Sequence, residues 1–127
     1  MTNIWLDDLR PEPDESWVLC RGFFEFKTQL SVMSEAPYAV SLDHDLGTRQ
    51  TGLDAVDEMA RTGKWPSVIT IHSSNPVGVD NMARAINAMA PSDMIHVNRR
   101  IHRRAGVVGM DIAYQVSKHL DRLTAKD

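Results

Sequence analysis

Three short segments carry side chains able to act on a charged substrate: Asp7-Asp8 with Arg10, Asp43-His44-Asp45, and His72-Ser73-Ser74-Asn75. Each follows a mostly apolar run: Ile4-Leu6, Tyr38-Leu42 and Val68-Ile71. Clustered carboxylates repel, and their pKa values rise unless a cation neutralises them. Asp7, Asp8 and Asp43 therefore read as oxygen ligands for a hard cation, Mg²⁺ or Mn²⁺, which would offset charge on a phosphate. Histidine titrates near neutral pH, so His44 and His72 are both candidate proton donors to a leaving oxygen. Arg10, Ser73 and Asn75 suit the nonbridging oxygens and the charge that develops on them.

A fourth segment, Asn98-Arg99-Arg100-Ile101-His102-Arg103-Arg104, places four arginines within six positions. The planar guanidinium pairs well with phosphate, which makes Arg99 and Arg100 candidate phosphate binders. No aromatic residues interleave with them, so a stacking platform for single strands is not expected. Each feature also has a plain structural explanation. Loop acids often only satisfy backbone groups, a lone histidine is more often structural, and charge runs are usually solvated. What outweighs these is position: in an open α/β sheet, ligands bind outside the carboxyl ends of the strands.

The elements that would position these residues alternate. Ile4-Leu6, Tyr38-Leu42, Val68-Ile71 and Met94-Val97 read as buried strands, and Trp17-Cys20 as a weaker one. Between them, helical spacing appears at Phe23, Phe26, Leu30 and Met33, at Leu53, Val56 and Met59, and at Met82, Ile86 and Met89. Asn75-Pro76 is a helix opening, with Asn as cap and Pro in the first turn. Ile112, Val116, Leu120 and Leu123 predict a C-terminal amphipathic helix with Asp111 as cap. The expectation is a doubly wound, mostly parallel five-stranded sheet. Only residues 8–16 join the first two strands, and Pro11 and Pro13 oppose a helix there, so a shortened first crossover is expected.

The chain has 127 residues, 43% hydrophobic and 24% charged, which predicts one globular domain over residues 1–127. A formal net charge of -3 gives no bulk attraction to nucleic acid. The lone Cys20 cannot form an internal disulfide, and no apolar run approaches the roughly 20 residues of a membrane span. With no basic start and long apolar stretch at the N-terminus, a cytoplasmic protein without membrane contact is expected.

The placement of Asp7-Asp8, Asp43 and His72-Ser73 resembles the response-regulator receiver plan. More closely, Leu6-Asp7-Asp8-Leu9-Arg10-Pro11, Ser41-Leu42-Asp43-His44-Asp45-Leu46-Gly47 and His72-Ser73-Ser74-Asn75-Pro76-Val77-Gly78 are similar to the cyclic-phosphate processing receiver domains. The resemblance spans about Ile4 to Met89. It implies a receiver or flavodoxin-like fold and hydrolysis of a cyclic phosphate, either a nucleoside cyclic phosphate, a cyclic nucleotide or an RNA end. His44, Asp45, His72 and Arg10 would be its catalytic residues. Two alternatives stay open: a phosphoacceptor domain with Asp43 as acceptor, and a binder of nucleotide or phosphate without turnover. The lysine that ordinary receivers carry after the fifth strand is replaced here by Asn98-Arg99-Arg100, which weakens the first alternative.

Overall fold

The computed structural model describes residues 2–100, with side chains described for residues 2–94. In chain order the elements are β1 (Asn3–Leu6), β2 (Trp17–Cys20), α1 (Phe23–Val32), β3 (Ala39–Leu42), α2 (Gly52–Thr62), β4 (Val68–Ser73), α3 (Pro76–Met89) and β5 (Ile95–Arg100). The strands form one parallel sheet in the order β2-β1-β3-β4-β5. This is the receiver-like, α/β arrangement. The chain moves one way from β1 to β2 and the other way from β2 past β1 to β3. The switch point therefore lies between β1 and β3, the place where such sheets bind ligands.

No helix lies between β1 and β2; residues 7–16 cross as a loop. Parallel crossovers are right-handed, so those running in one direction along the sheet put their helices on one face. α1, α2 and α3 belong to crossovers that all run the same way. They pack together over a single face, where Phe26, Leu30, Val56, Met59, Met82 and Ile86 meet Leu6, Val40, Leu42, Ile69 and Ile71. The β1–β2 connection runs the opposite way, and its loop leaves the other face without a described helix. That face carries Trp5, Trp17, Tyr38 and Val68. The C-terminal helix expected around Ile112 to Leu123, and Arg103 and Arg104 of the basic run, lie outside the described residues.

Local chemistry explains the helix boundaries nearest the strand ends. Thr51 and Asp54 form a reciprocal capping box at the start of α2, and Gly63 ends it in the left-handed conformation, φ 72°. Asn75 caps α3 by accepting from the Gly78 N–H at 3.0 Å, with Pro76 in the first turn. Two strands, β4 and β5, run longer than their apolar patterns. β4 continues through His72 and Ser73 because β5 reaches Arg100 and pairs Arg99 with His72 and Arg100 with Ser73. No described helix is long and apolar enough to cross a membrane.

Candidate active site

Asp7 leaves β1 and Asp43 leaves β3, two strands that pair in register from Asn3–Ala39 to Leu6–Leu42. Both carboxylates therefore emerge side by side at the switch point, and both are buried. Asp8 completes the group: one carboxylate oxygen from each of Asp7, Asp8 and Asp43 lies within 4.8 Å of the others. Gly47, at φ 69°, turns the chain below Asp8, and a Cβ there would stand 3.0 Å from Asp8 Oδ2. A Cβ on Gly52 would overlap the Asp43 carbonyl, so α2 starts close beneath Asp43 only because that residue is glycine.

The three acids differ in what surrounds them. Asp7 Oδ1 accepts the backbone N–H of Leu9 and of Arg10, each at 2.8 Å. Its Oδ2 faces Arg10 Nη1 at 3.2 Å and His72 Nε2 at 3.0 Å. Burial raises the Asp7 pKa, but the bonds from His72, Arg10 and Leu9 outweigh it and hold the carboxyl at about 2. Asp43 has weaker support, with Arg10 Nη1 at 3.4 Å from Oδ2 and a hydrogen bond from Ser73. Burial and then the negative charge of Asp7 push it up to about 7 against the pull of Arg10 and Ser73. Asp8 makes no side-chain hydrogen bond among the described residues.

Arg10 is the positive counterweight, bridging Asp7 and Asp43 from a loop that is itself pinned. Trp5 Nε1 donates to the Arg10 carbonyl at 3.2 Å, and Arg21 Nη1 donates to the carbonyls of Asp7 (3.3 Å) and Arg10 (3.1 Å). Arg10, Asp8, Asp43, Asp45, Leu9, Pro11, Gly47 and Ser74 line an open cavity of about 500 Å³ over the strand ends.

The two histidines separate cleanly. His44 is partly exposed, with Nδ1 2.9 Å from Asp45 Oδ1. A carboxylate can only accept, so Nδ1–H donates and Nε2 is left to exchange a proton. Asn75 Nδ2 donates to both Asp45 oxygens at 3.4 and 3.3 Å while its Oδ1 caps α3, tying the pair to the helix start. The ring lies against Gly78, where any Cβ would overlap it. His72, read from sequence as lying beyond its strand, sits inside β4 and is fully buried. It stacks on Trp5 with ring centroids 3.8 Å apart and planes 7° apart. Strand alternation turns it to the same face as Thr70, away from the cavity lining.

Asp7, Asp8, Asp43, Arg10 and Ser73 are thus gathered at the acidic pocket, with His44, Asp45 and Asn75 as a connected group beside it. Arg99 and Arg100 fall within β5, and their side chains lie outside the described residues. Sequence reading missed Ser41, Thr70, Arg21, Gly52 and Gly78. Ser41 and Thr70 carried one usable signal, being polar residues at alternate positions in otherwise apolar strands.

A parallel sheet with an acidic pocket at its switch point and paired carboxylates after β1 and β3 defines a receiver-type domain. Comparison with curated proteins and with solved structures gave no match. Residues 2–88 match the cyclic-phosphate processing receiver domain, and the chain belongs to that family.

Proposed function

We propose that the pocket hydrolyses a cyclic phosphodiester with the help of a divalent cation held by the acidic group, with Mg²⁺ or Mn²⁺ suited to hard oxygen ligands. The observation that carries this reading is the Asp7, Asp8 and Asp43 cluster, in which burial and a neighbouring charge leave Asp43 near 7 without a cation. Asp8 and Asp43 have the free oxygens for such an ion; both Asp7 oxygens already carry two donors each. The ion would neutralise the carboxylates and draw charge from the phosphate oxygens. Arg10 and the Ser73 hydroxyl bind the nonbridging oxygens, as the phosphate replaces the Arg10–carboxylate contact in part.

In the reaction, water adds through oxygen to phosphorus and one ring P–O bond breaks. Protonated His44 gives its Nε2 proton to the departing oxygen, and the proton released by water restores it through solvent. Asp45 holds the imidazole by Nδ1, and Asn75 holds Asp45. The substrate class is a phosphorylated small molecule or an RNA end bearing a cyclic phosphate. The test is incubation with 2′,3′-cyclic nucleotides and Mn²⁺, read by ³¹P NMR. Ring opening that disappears in His44→Ala and in Asp43→Asn is expected. Absence of turnover on any cyclic phosphate by folded protein that binds Mn²⁺ refutes it.

A further inference from the structure

Beneath the pocket, on the sheet face opposite α1, α2 and α3, four polar side chains form a chain with no exposed member. Thr70 Oγ1 donates to Ser41 Oγ at 2.6 Å, and Ser41 Oγ lies 2.6 Å from His72 Nδ1. His72 Nε2 lies 3.0 Å from Asp7 Oδ2. Ser41 and His72 are wholly buried, and Thr70 is 1% exposed. None of the four lines the cavity; the chain is joined to its wall through Asp7, whose Oδ2 meets Arg10 Nη1 at 3.2 Å.

The Asp7 carboxylate fixes its direction. Oδ2 can only accept, so the hydrogen of a neutral ring sits on Nε2 and points at Asp7. Nδ1 is then bare and accepts the Ser41 hydroxyl proton, which leaves Ser41 Oγ to accept from Thr70. Trp5, stacked on the ring face with planes 7° apart, holds the plane of the imidazole.

We propose that His72 is a positioning residue: held as the Nε2–H tautomer between the Asp7 carboxylate and the Ser41–Thr70 hydroxyls, it fixes Asp7 Oδ2 and thereby the Arg10 loop that shapes the cation pocket. It transfers no proton to substrate. This rests on the cation-binding part of the reading above. Hydrogen-bond partners lying outside the ligands of a metal site are commonly worth 10- to 100-fold in affinity.

The experiment has two arms. In ¹⁵N-labelled wild-type protein without added metal at pH 7, imidazole NMR should show Nε2 protonated and Nδ1 bare. An Nδ1–H ring, or one protonated on both nitrogens, overturns the proposal whatever the enzyme does. Mn²⁺ affinity is then measured by calorimetry. His72→Phe keeps the stack but not the donor and should bind at least tenfold more weakly. His72→Gln, which can place an amide N–H near Asp7, should recover most of that loss. Ser41→Ala and Thr70→Val, which do not touch Asp7, should each cost a few-fold. Wild-type affinity in His72→Phe and Ser41→Ala overturns it. Should His72→Phe not fold, Ser41→Ala and the tautomer still decide. If turnover is detected, His72→Gln should keep the wild-type pH profile, since only a proton-transferring histidine would remove one of its limbs. Failure of wild-type protein to bind Mn²⁺ would instead refute the cation-dependent function, with the tautomer result standing apart from it.

Discussion

Replacing Asp43 by Asn should make the cation-free protein more stable above neutral pH. Burial and the charge of Asp7 lift the Asp43 carboxyl from 3.8 to about 7 in the folded chain. A folded-state pKa above the unfolded one means that the native state holds the proton over a range where the unfolded chain has lost it. Stability therefore falls as pH rises from about 4 to 7, and the whole cost is present above 7. At 1.36 kcal/mol per pKa unit that cost is about 4 kcal/mol at pH 8 and about 2 kcal/mol at pH 5.5. Asparagine keeps the shape and an oxygen for Ser73 while removing the charge. Urea unfolding followed by circular dichroism should give a higher midpoint for Asp43→Asn at pH 8. The advantage should shrink steadily to near nothing at pH 4. Mg²⁺ or Mn²⁺ should raise the midpoint of the wild type and leave the variant nearly unmoved. A variant midpoint at or below wild type at pH 8, with an unchanged denaturant slope, would refute the reasoning that an uncompensated charge strains this pocket.

Two further substitutions separate the parts of the site. Arg10→Gln removes the guanidinium that bridges Asp7 and Asp43, so calorimetry should show Mn²⁺ bound roughly tenfold more tightly while inorganic phosphate binds more weakly; equal directions for the two ligands would contradict the assignment. Gly78→Ala forces the His44 ring from its seat against α3, and a displacement of about 1 Å should lower kcat by up to roughly 100-fold with Mn²⁺ affinity retained. An unchanged kcat in folded Gly78→Ala would remove His44 from the reaction.

The parallel sheet and the meeting of Asp7 with Asp43 were legible from sequence because both acids follow short apolar strands, and side-by-side strands leave their next residues together. The missing helix after β1 was legible for a similarly local reason, the prolines at 11 and 13. The roles of the histidines were not. Sequence placed His72 just past its strand, but β5 pairing carries β4 through Ser73, and one more strand residue turns a rim side chain into a buried one. That pairing depends on a segment more than twenty residues away, which apolar periodicity in β4 does not record. Gly52 and Gly78 were hidden for a different reason: each matters for the group opposite it, Asp43 and His44, and close approach between elements leaves no mark in local spacing.

Trp5, His72, Ser41 and Thr70 are all closed to solvent and seal the underside of the pocket, so ligand reaches and leaves the open cavity from the solvent side alone. Under the proposed reaction, spent phosphate monoester and incoming ligand would contend for that one cavity, and turnover would slow by mass action as product accumulates, without any second regulatory site.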